Sequence, residues 1–334
     1  MPEVAEISFR EAIIEAMAEE MRRDETVFLI GEDVGKSGGI FKCSEGLFEE
    51  FGTERVIDTP IAEAGYIGVS VGAAMTGMRP IAELMFGDFS LLTMDQLVNQ
   101  AAKVRYMTGG QCKVCLTVRL SMGAGRSSAA QHSQSLHALF AHIPGLKVAV
   151  PSCPEDVKGL LKTAIRDDNP VLIFEDKMMY NDVGPVPRGE YTIPFGEAVV
   201  RREGSDVTLV GTSSMVGLSL EASKELENEG VSAEVVDLRT LFPLDTETLI
   251  ASVRKTGYAV IVDEGASRYG VTGELASQIT EAAFDFLDAP VMRIAAADVP
   301  VPFSPSLEMP TIPNVEQIVE VVLAMRGLRQ GAIT

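Results

Sequence analysis

The stretch Val56-Ile-Asp-Thr-Pro-Ile-Ala-Glu-Ala-Gly65 decides how this chain is read. Val56 and Ile57 read as a strand edge, and Asp58-Thr-Pro60 breaks it. A helix is predicted over 62–78, opened by Glu63 and rich in small residues: Ala64, Gly65, Gly68, Ser70, Gly72, Ala73 and Ala74. Each glycine lowers helix propensity. What the small side chains permit is very close packing against another backbone, in a core or at a subunit interface. After the next predicted strand, 81–85, the segment Leu84-Met-Phe-Gly-Asp-Phe-Ser90 brings an aromatic cluster. Ala130-Gln-His-Ser-Gln134 brings a histidine. One carboxylate, one aromatic cluster and one histidine therefore stand in otherwise apolar surroundings.

Working outward, Ser8 and Glu11 form a capping box for a helix over 8–22, with Ala12, Ile13, Ala16 and Met17 as its apolar stripe. Residues 27–30 are a short apolar run ending at Gly31, which reads as a buried parallel strand. Glu32-Asp33 falls at its carboxyl end, where open α/β sheets place ligands. Further strands are predicted at 114–120, 146–150 and 171–175, with helices at 94–107 and 154–166. This alternation means a parallel sheet covered on both faces. Residues 181–194 hold three prolines and two glycines and show no period, so they read as a linker. A second α/β set follows, with strands at 207–211, 233–238, 258–262 and 291–295 and helices at 216–229, 245–256, 272–286 and 315–325. Residues 300–313 form a proline-rich crossing between its last strand and helix. The expected organisation is α/β throughout: a first domain over 1–185, a linker over 186–200 and a second domain over 201–334.

Bulk properties agree. A chain of 334 residues suggests about two domains. Hydrophobic residues at 46% and charged residues at 23% suit a soluble globular protein with sizeable cores. The net charge of −20 argues against nucleic acid, which needs a basic face. It suits solubility, or an acidic face for a basic partner. Four cysteines, at 43, 112, 115 and 153, make no disulfide framework. Cys112-Lys-Val-Cys115 has no second CxxC to complete a metal site, and Cys115 reads as a core thiol. Reduced thiols point to a cytoplasmic protein. The N-terminal Met-Pro-Glu-Val is no signal peptide, and no apolar run reaches the ~18 residues of a membrane span.

Three groups are candidates for chemistry. Glu63, among Ile61, Ala62, Ala64 and Ile67, is either a first-turn carboxylate facing the helix dipole or a buried one that shares a proton with a bound base. The histidines are 132, 137 and 142, a spacing of five that scatters them round a helix and disfavours a metal triad. His132, beside Gln131 and Ser133, is the best general acid or base. Gly123-Ala-Gly-Arg-Ser-Ser128 starts like a dinucleotide fingerprint but lacks its third glycine and its later acidic residue. On residues alone this is a two-domain α/β protein with a half-assembled site.

Several colinear segments carry a resemblance. They are Gly39-Ile-Phe-Lys-Cys-Ser-Glu-Gly-Leu-Phe-Glu-Glu-Phe-Gly52, Asp58-Thr-Pro-Ile-Ala-Glu63, Gln131-His-Ser-Gln134, His142-Ile-Pro-Gly-Leu-Lys-Val148, Ala164-Ile-Arg-Asp-Asp-Asn-Pro170 and Pro300-Val-Pro-Phe-Ser304. Together they resemble the beta subunit of the thiamine-diphosphate-dependent decarboxylating component of 2-oxo acid dehydrogenase complexes. The resemblance implies a transketolase-like pyrimidine-binding domain followed by a transketolase-type C-terminal domain. It implies an alpha2-beta2 heterotetramer whose alpha subunit supplies the diphosphate and Mg2+ ligands, and a lipoyl-bearing acyltransferase core as the next partner. By position, Glu63 matches the glutamate that hydrogen-bonds the cofactor's pyrimidine nitrogen and promotes release of the thiazolium proton. Phe89 matches the aromatic that stacks on the pyrimidine, with Met85 and Phe86 lining the same pocket. His132 matches the histidine that holds the reacting fragment and the incoming lipoyl group. Leu116, Ala164, Asp167 and Asn169 match positions binding a structural K+, largely through carbonyls.

Two segments depart from the pattern. Arg126-Ser-Ser128 stands where relatives carry small residues; Arg126 either meets a substrate carboxylate or faces solvent. Glu175-Asp-Lys-Met-Met-Tyr180 with Tyr191-Thr-Ile-Pro-Phe-Gly196 looks most like acetoin dehydrogenase beta subunits, next like pyruvate dehydrogenase ones and third like the branched-chain type. The expected activity is acetoin cleavage or pyruvate decarboxylation with reductive acylation of a lipoyl group, only with the alpha subunit. The alternatives are a branched-chain 2-oxo acid dehydrogenase subunit and a split transketolase subunit that transfers ketol units.

Overall fold

The structure, a computed structural model, describes residues 3–328. Met1 and Pro2 of the N-terminal stretch, and residues 329–334 of the expected second domain, lie outside them. The described chain forms two compact units. The first comprises residues 3–123, 139–195 and 241–243; the second comprises 124–138, 196–240 and 244–328.

The first unit is built on a seven-stranded sheet. Its order is Thr240–Phe242, Lys147–Ala149, Val171–Asp176, Thr117–Met122, Arg79–Leu84, Val27–Gly31 and Val56–Asp58. From Lys147–Ala149 to Val56–Asp58 every pairing is parallel. The strands Val27–Gly31, Thr117–Met122 and Val171–Asp176 are buried along their whole length. Helices on both faces explain why these strands read as continuous runs rather than alternations. The helix Phe9–Arg23 starts from the expected Ser8–Glu11 capping box and buries Ala12, Ile13, Ala16 and Met17. It packs on the helix Pro154–Arg166.

Two expectations change here. The helix predicted over 94–107 is a π-helical turn, Asp95–Ala101, followed by the α-helix Ala102–Met107 and preceded by a 3₁₀ turn, Gly87–Thr93. The aperiodic stretch 181–194 contains a strand, Val183–Pro187, paired antiparallel with Val4–Ser8. Its burial alternates, with Gly184 and Val186 inward and Val183 and Pro185 outward. A two-stranded ribbon consists only of edges, the place where proline is compatible with a strand.

The second unit has a five-stranded sheet in the order Met292–Ala296, Ala259–Ala266, Val207–Gly211, Ala233–Asp237 and Val199–Arg202. The first three pairings are parallel and the last is antiparallel. Val207, Leu209, Val235, Val260 and Val262 form its core with Ile318 and Val322 of the helix Val315–Met325. The proline-rich crossing carries a short helix, Pro305–Glu308, and a 3₁₀ turn, Met309–Thr311. Among the described residues no helix is long and apolar enough to cross a membrane.

Candidate active site

In the first unit the candidate cofactor-binding residues gather at the carboxyl ends of the parallel strands. Glu32 follows Val27–Gly31, and Met85 follows Arg79–Leu84. Val56–Asp58 runs on through Thr59-Pro60 into the helix Glu63–Met75. This is the end of an α/β sheet at which ligands bind. Glu63 is the first residue of its helix and is only 5% exposed. A second carboxylate, Glu32, is buried nearby. Burial pushes the Glu32 carboxyl up, and the negative charges of Glu63 and Asp33 push it further, against a hydrogen bond from the Ala62 N–H. Its Oε1 is buried without a hydrogen-bond partner. A buried acceptor left open in this way is costly unless something polar reaches it. Glu32 was not among the expected site residues, although its position after a buried strand was readable.

The aromatic cluster stands at the same end. Phe86 and Phe89 meet edge to face with centroids 5.9 Å apart. Phe41 meets Phe86 edge-on at 5.6 Å and stacks on Tyr180 at 5.0 Å. The Lys177 ammonium lies 5.6 Å from the Phe86 ring centre. Met85, Phe86 and Phe89 are all half-buried. The Met85 carbonyl accepts from Ser121 Oγ at 2.8 Å. A Cβ on Gly87 would come within 2.8 Å of the Ser121 carbonyl, so only glycine lets the turn sit this close. The turn Gly87–Thr93 packs against the helix that Glu63 opens.

Beside this wall lies a buried charge cluster that sequence reasoning missed. Arg119, 1% exposed, donates from Nε and Nη2 to both oxygens of Glu175 at 2.8 Å and from Nη1 to Glu83 at 2.6 Å. The three residues come from adjacent strands, and Glu83 and Arg119 are register partners. Burial is the largest effect on the Glu83 carboxyl and pushes it up; Arg119 opposes this and the charge of Glu175 adds to it. Tyr180 donates to Glu175 at 3.0 Å, and Tyr66 donates to the Glu83 carbonyl at 3.2 Å. The available signal was an arginine in a strand that reads as buried.

His132 belongs to the second unit, half-buried in a loop whose Gly123, Gly125, Ser127 and Ala129 all have positive φ. His137 is fully buried, with Nε2 3.0 Å from Asp263, while His142 and Arg126 are exposed. Leu116, Ala164, Asp167 and Asn169 lie at the opposite, amino-terminal end of the first unit's strands, before Thr117–Met122 and Val171–Asp176. The Leu116 and Ala164 carbonyls accept from the Val171 and Asp167 N–H groups. Arg79 donates to the Ile165 and Asp167 carbonyls at 3.0 Å each. The Asp167 carboxylate accepts from Asn169 and pairs with Lys147, while Asn169 Oδ1 accepts from Arg105. The side-chain oxygens are therefore engaged, and what remains for a cation is the carbonyls' second lone pairs. Among the described residues no group of three or more His, Cys, Asp or Glu could hold a metal ion.

Residues 5–183 match the family model of the transketolase pyrimidine-binding domain, and residues 196–318 match that of the transketolase C-terminal domain. A split-gene transketolase, solved as an inactive beta4 tetramer, superposes with a TM-score of 0.76 at 26% identity, over 98% of this chain and 100% of that one. Fold and site thus define a transketolase-type two-domain α/β enzyme subunit. Curated relatives narrow the class. The beta subunit of acetoin:2,6-dichlorophenolindophenol oxidoreductase from Bacillus subtilis (strain 168) is 50% identical, over 96% of this chain and 97% of its own length. The beta subunit of the pyruvate dehydrogenase E1 component from Rhizobium meliloti (strain 1021) is 46% identical, over 97% and 70%. The 2-oxoisovalerate dehydrogenase beta subunit of Bacillus subtilis (strain 168) is 46% identical, over 97% and 99%. The chain belongs to the family of beta subunits of the thiamine-dependent acetoin and 2-oxo acid dehydrogenases.

Proposed function

We propose that this chain binds the pyrimidine half of thiamine diphosphate and, paired with an alpha subunit as alpha2-beta2, cleaves acetoin or decarboxylates pyruvate, passing the acyl fragment to a lipoyl group on an acyltransferase core. The observation that carries this reading is the pair of buried carboxylates, Glu63 and Glu32, at the same sheet end as the Phe86–Phe89 wall. An aminopyrimidine is flat, basic at its ring nitrogens and bears an amine donor. It suits two acceptors and an aromatic face, and the open Glu32 Oε1 is the atom such a donor would satisfy.

Thiamine diphosphate, when bound, supplies the carbon nucleophile and the electron sink. The residues of this chain then have separable tasks. Glu63 would hold a proton at the pyrimidine nitrogen. Glu32 would accept from the ring's amine through its open Oε1, and its ionisation is opposed by burial and by the charges of Glu63 and Asp33. Phe89 would stack on the ring, and Met85 and Phe86 exclude water from it. His132 would hydrogen-bond the reacting fragment and the incoming lipoyl group. Mg2+ and the diphosphate would belong to the alpha subunit, since the glycine-aspartate-glycine motif that precedes their asparagine ligand does not occur here. A K+ near the Leu116, Ala164 and Asp167 carbonyls, with Asn169 beside them, would be structural, at the far end of the sheet from the chemistry.

The likeness to a split transketolase favours one second reading, ketol transfer to an aldose. Acceptor chemistry separates the two. The alpha2-beta2 complex with thiamine diphosphate and Mg2+ is expected to turn over acetoin or pyruvate with lipoamide or an artificial electron acceptor. Turnover only with an aldose acceptor would replace this reading by the second.

A further inference from the structure

Resting on the assignment of His132 to the reaction, we infer that Glu308, Glu264 and Asp263 are positioning residues that clamp the loop 124–138 at both ends and so fix where His132 stands. The Gly123-Ala-Gly-Arg-Ser-Ser128 stretch, which fails as a nucleotide motif, has a different use. Gly123, Gly125, Ser127 and Ala129 take positive φ values of 95°, 97°, 53° and 61°. Left-handed residues alternating along a loop turn successive backbone N–H groups to one side, which makes an anion-binding concavity. Here the protein's own carboxylates fill it. Glu308 accepts from the Gly125 N–H through Oε1 and from the Ser127 N–H through Oε2, both at 2.8 Å. Glu264 accepts from the Ala124 N–H at 2.6 Å. Glu308 is 1% exposed and Glu264 is 7% exposed, so these charge-assisted bonds are shielded from water.

The other end is tied at His137. Its Nε2 lies 3.1 and 3.0 Å from the two oxygens of Asp263. Asp263 also accepts from Thr212 Oγ1 and from the Gly265 N–H. Burial alone would raise the Asp263 carboxyl, but the charge of His137 and the hydrogen bonds from His137, Thr212 and Gly265 hold it below the usual range. A Cβ on Gly265 would fall 2.6 Å from Asp263 Oδ2 and 3.3 Å from the His137 ring, so this closure requires glycine. His132 thus sits between two anchors, both supplied by the second unit. Asp263 and Glu264 lie in one strand, Ala259–Ala266, and Glu308 ends the short helix of the proline-rich crossing. The crossing reads in sequence as mere connection; its use is to carry Glu308 to the loop.

The test compares Glu308→Gln, His132→Ala and the double variant in the assembled alpha2-beta2 complex. Two readouts are needed: amide hydrogen exchange of the 124–136 segment, and kcat and KM. Glu308→Gln is expected to speed exchange across that segment and to lower kcat by about tenfold or more with KM little changed, the cost of a misplaced group. In the His132→Ala background the same substitution should lower kcat no further. Unchanged exchange, or equal losses of kcat in both backgrounds, overturns the clamp. Normal turnover by His132→Ala alone instead overturns the assignment of His132, and the exchange result still decides the clamp. Should Glu308→Gln fail to assemble, Glu264→Ala removes the carboxylate that accepts from the Ala124 N–H and carries the same readouts.

Discussion

At the scale of single residues, Arg119 shows how strongly charge is constrained in the first unit. It faces two carboxylates in a site almost closed to solvent, so removing it leaves both Glu83 and Glu175 without their cation. Breaking a buried ion pair from one side costs about 3–5 kcal/mol. Arg119→Met is therefore expected to lower the thermal midpoint sharply, and adding Glu83→Gln and Glu175→Gln should recover a large part of the loss. A midpoint within a degree or two of the parent would contradict that account. Asp263 supplies a prediction with a sign. Its folded pKa is depressed, so its ionised form stabilises the fold above its unfolded value, roughly 3.9, and that contribution disappears as pH falls towards the folded value. Asp263→Asn should be less stable at pH 7 and should lose less on acidification below about pH 4, as thermal midpoints across pH would show. The burial of Glu63 was legible in the sequence only as one of two readings, beside an exposed first-turn carboxylate facing the helix dipole. Glu32 and Arg119 were not, because their meaning depends on neighbours 31 to 56 positions away that only the sheet register brings together.

At the scale of elements, local chemistry was the reliable guide. The Ser8–Glu11 box forms as its spacing requires, with Ser8 accepting from the Glu11 N–H at 3.2 Å and the Glu11 carboxylate accepting from the Ser8 N–H at 2.7 Å. Ser8→Ala should cost about 0.5–2 kcal/mol, a shift readable as a lowered unfolding midpoint with activity unchanged below it. Buried strands and the helices between them were readable for the same reason: their periods are local. Elements whose pattern is set from a distance were not. Val183–Pro187 is a strand only because Val4–Ser8 lies beside it, and its prolines disguise the alternation. The segment 87–107 changes helical type twice, where the sequence reads as a single helix over 94–107. The helix Glu63–Met75 illustrates the middle case. Its position was legible, and its small residues leave Val69 at 60% and Met75 at 44% exposed in the single chain.

At the scale of the whole molecule, the net charge of −20 governs how the chain meets others. On the proposed function, docking to a basic segment of an acyltransferase core would be steered electrostatically and weakened by salt. Co-sedimentation of the alpha2-beta2 complex with its core should fall as ionic strength rises from about 50 to 500 mM; salt-independent association would point to an apolar contact. The two α/β units and the class of enzyme were legible because the sequence motifs are long and colinear. The choice among acetoin, pyruvate and the branched acid was not, because the relatives named for all three lie between 46% and 50% identity. The central claim is that Glu63 activates the cofactor from this chain. It is tested most directly by comparing turnover of acetoin and pyruvate by alpha2-beta2 complexes carrying either Glu63 or Glu63→Gln, with saturating thiamine diphosphate, Mg2+ and an artificial electron acceptor. The account predicts an intact heterotetramer and a loss of at least about 10²-fold in kcat, the scale of a lost proton-transfer group. Turnover within a factor of about two of the parent would contradict it.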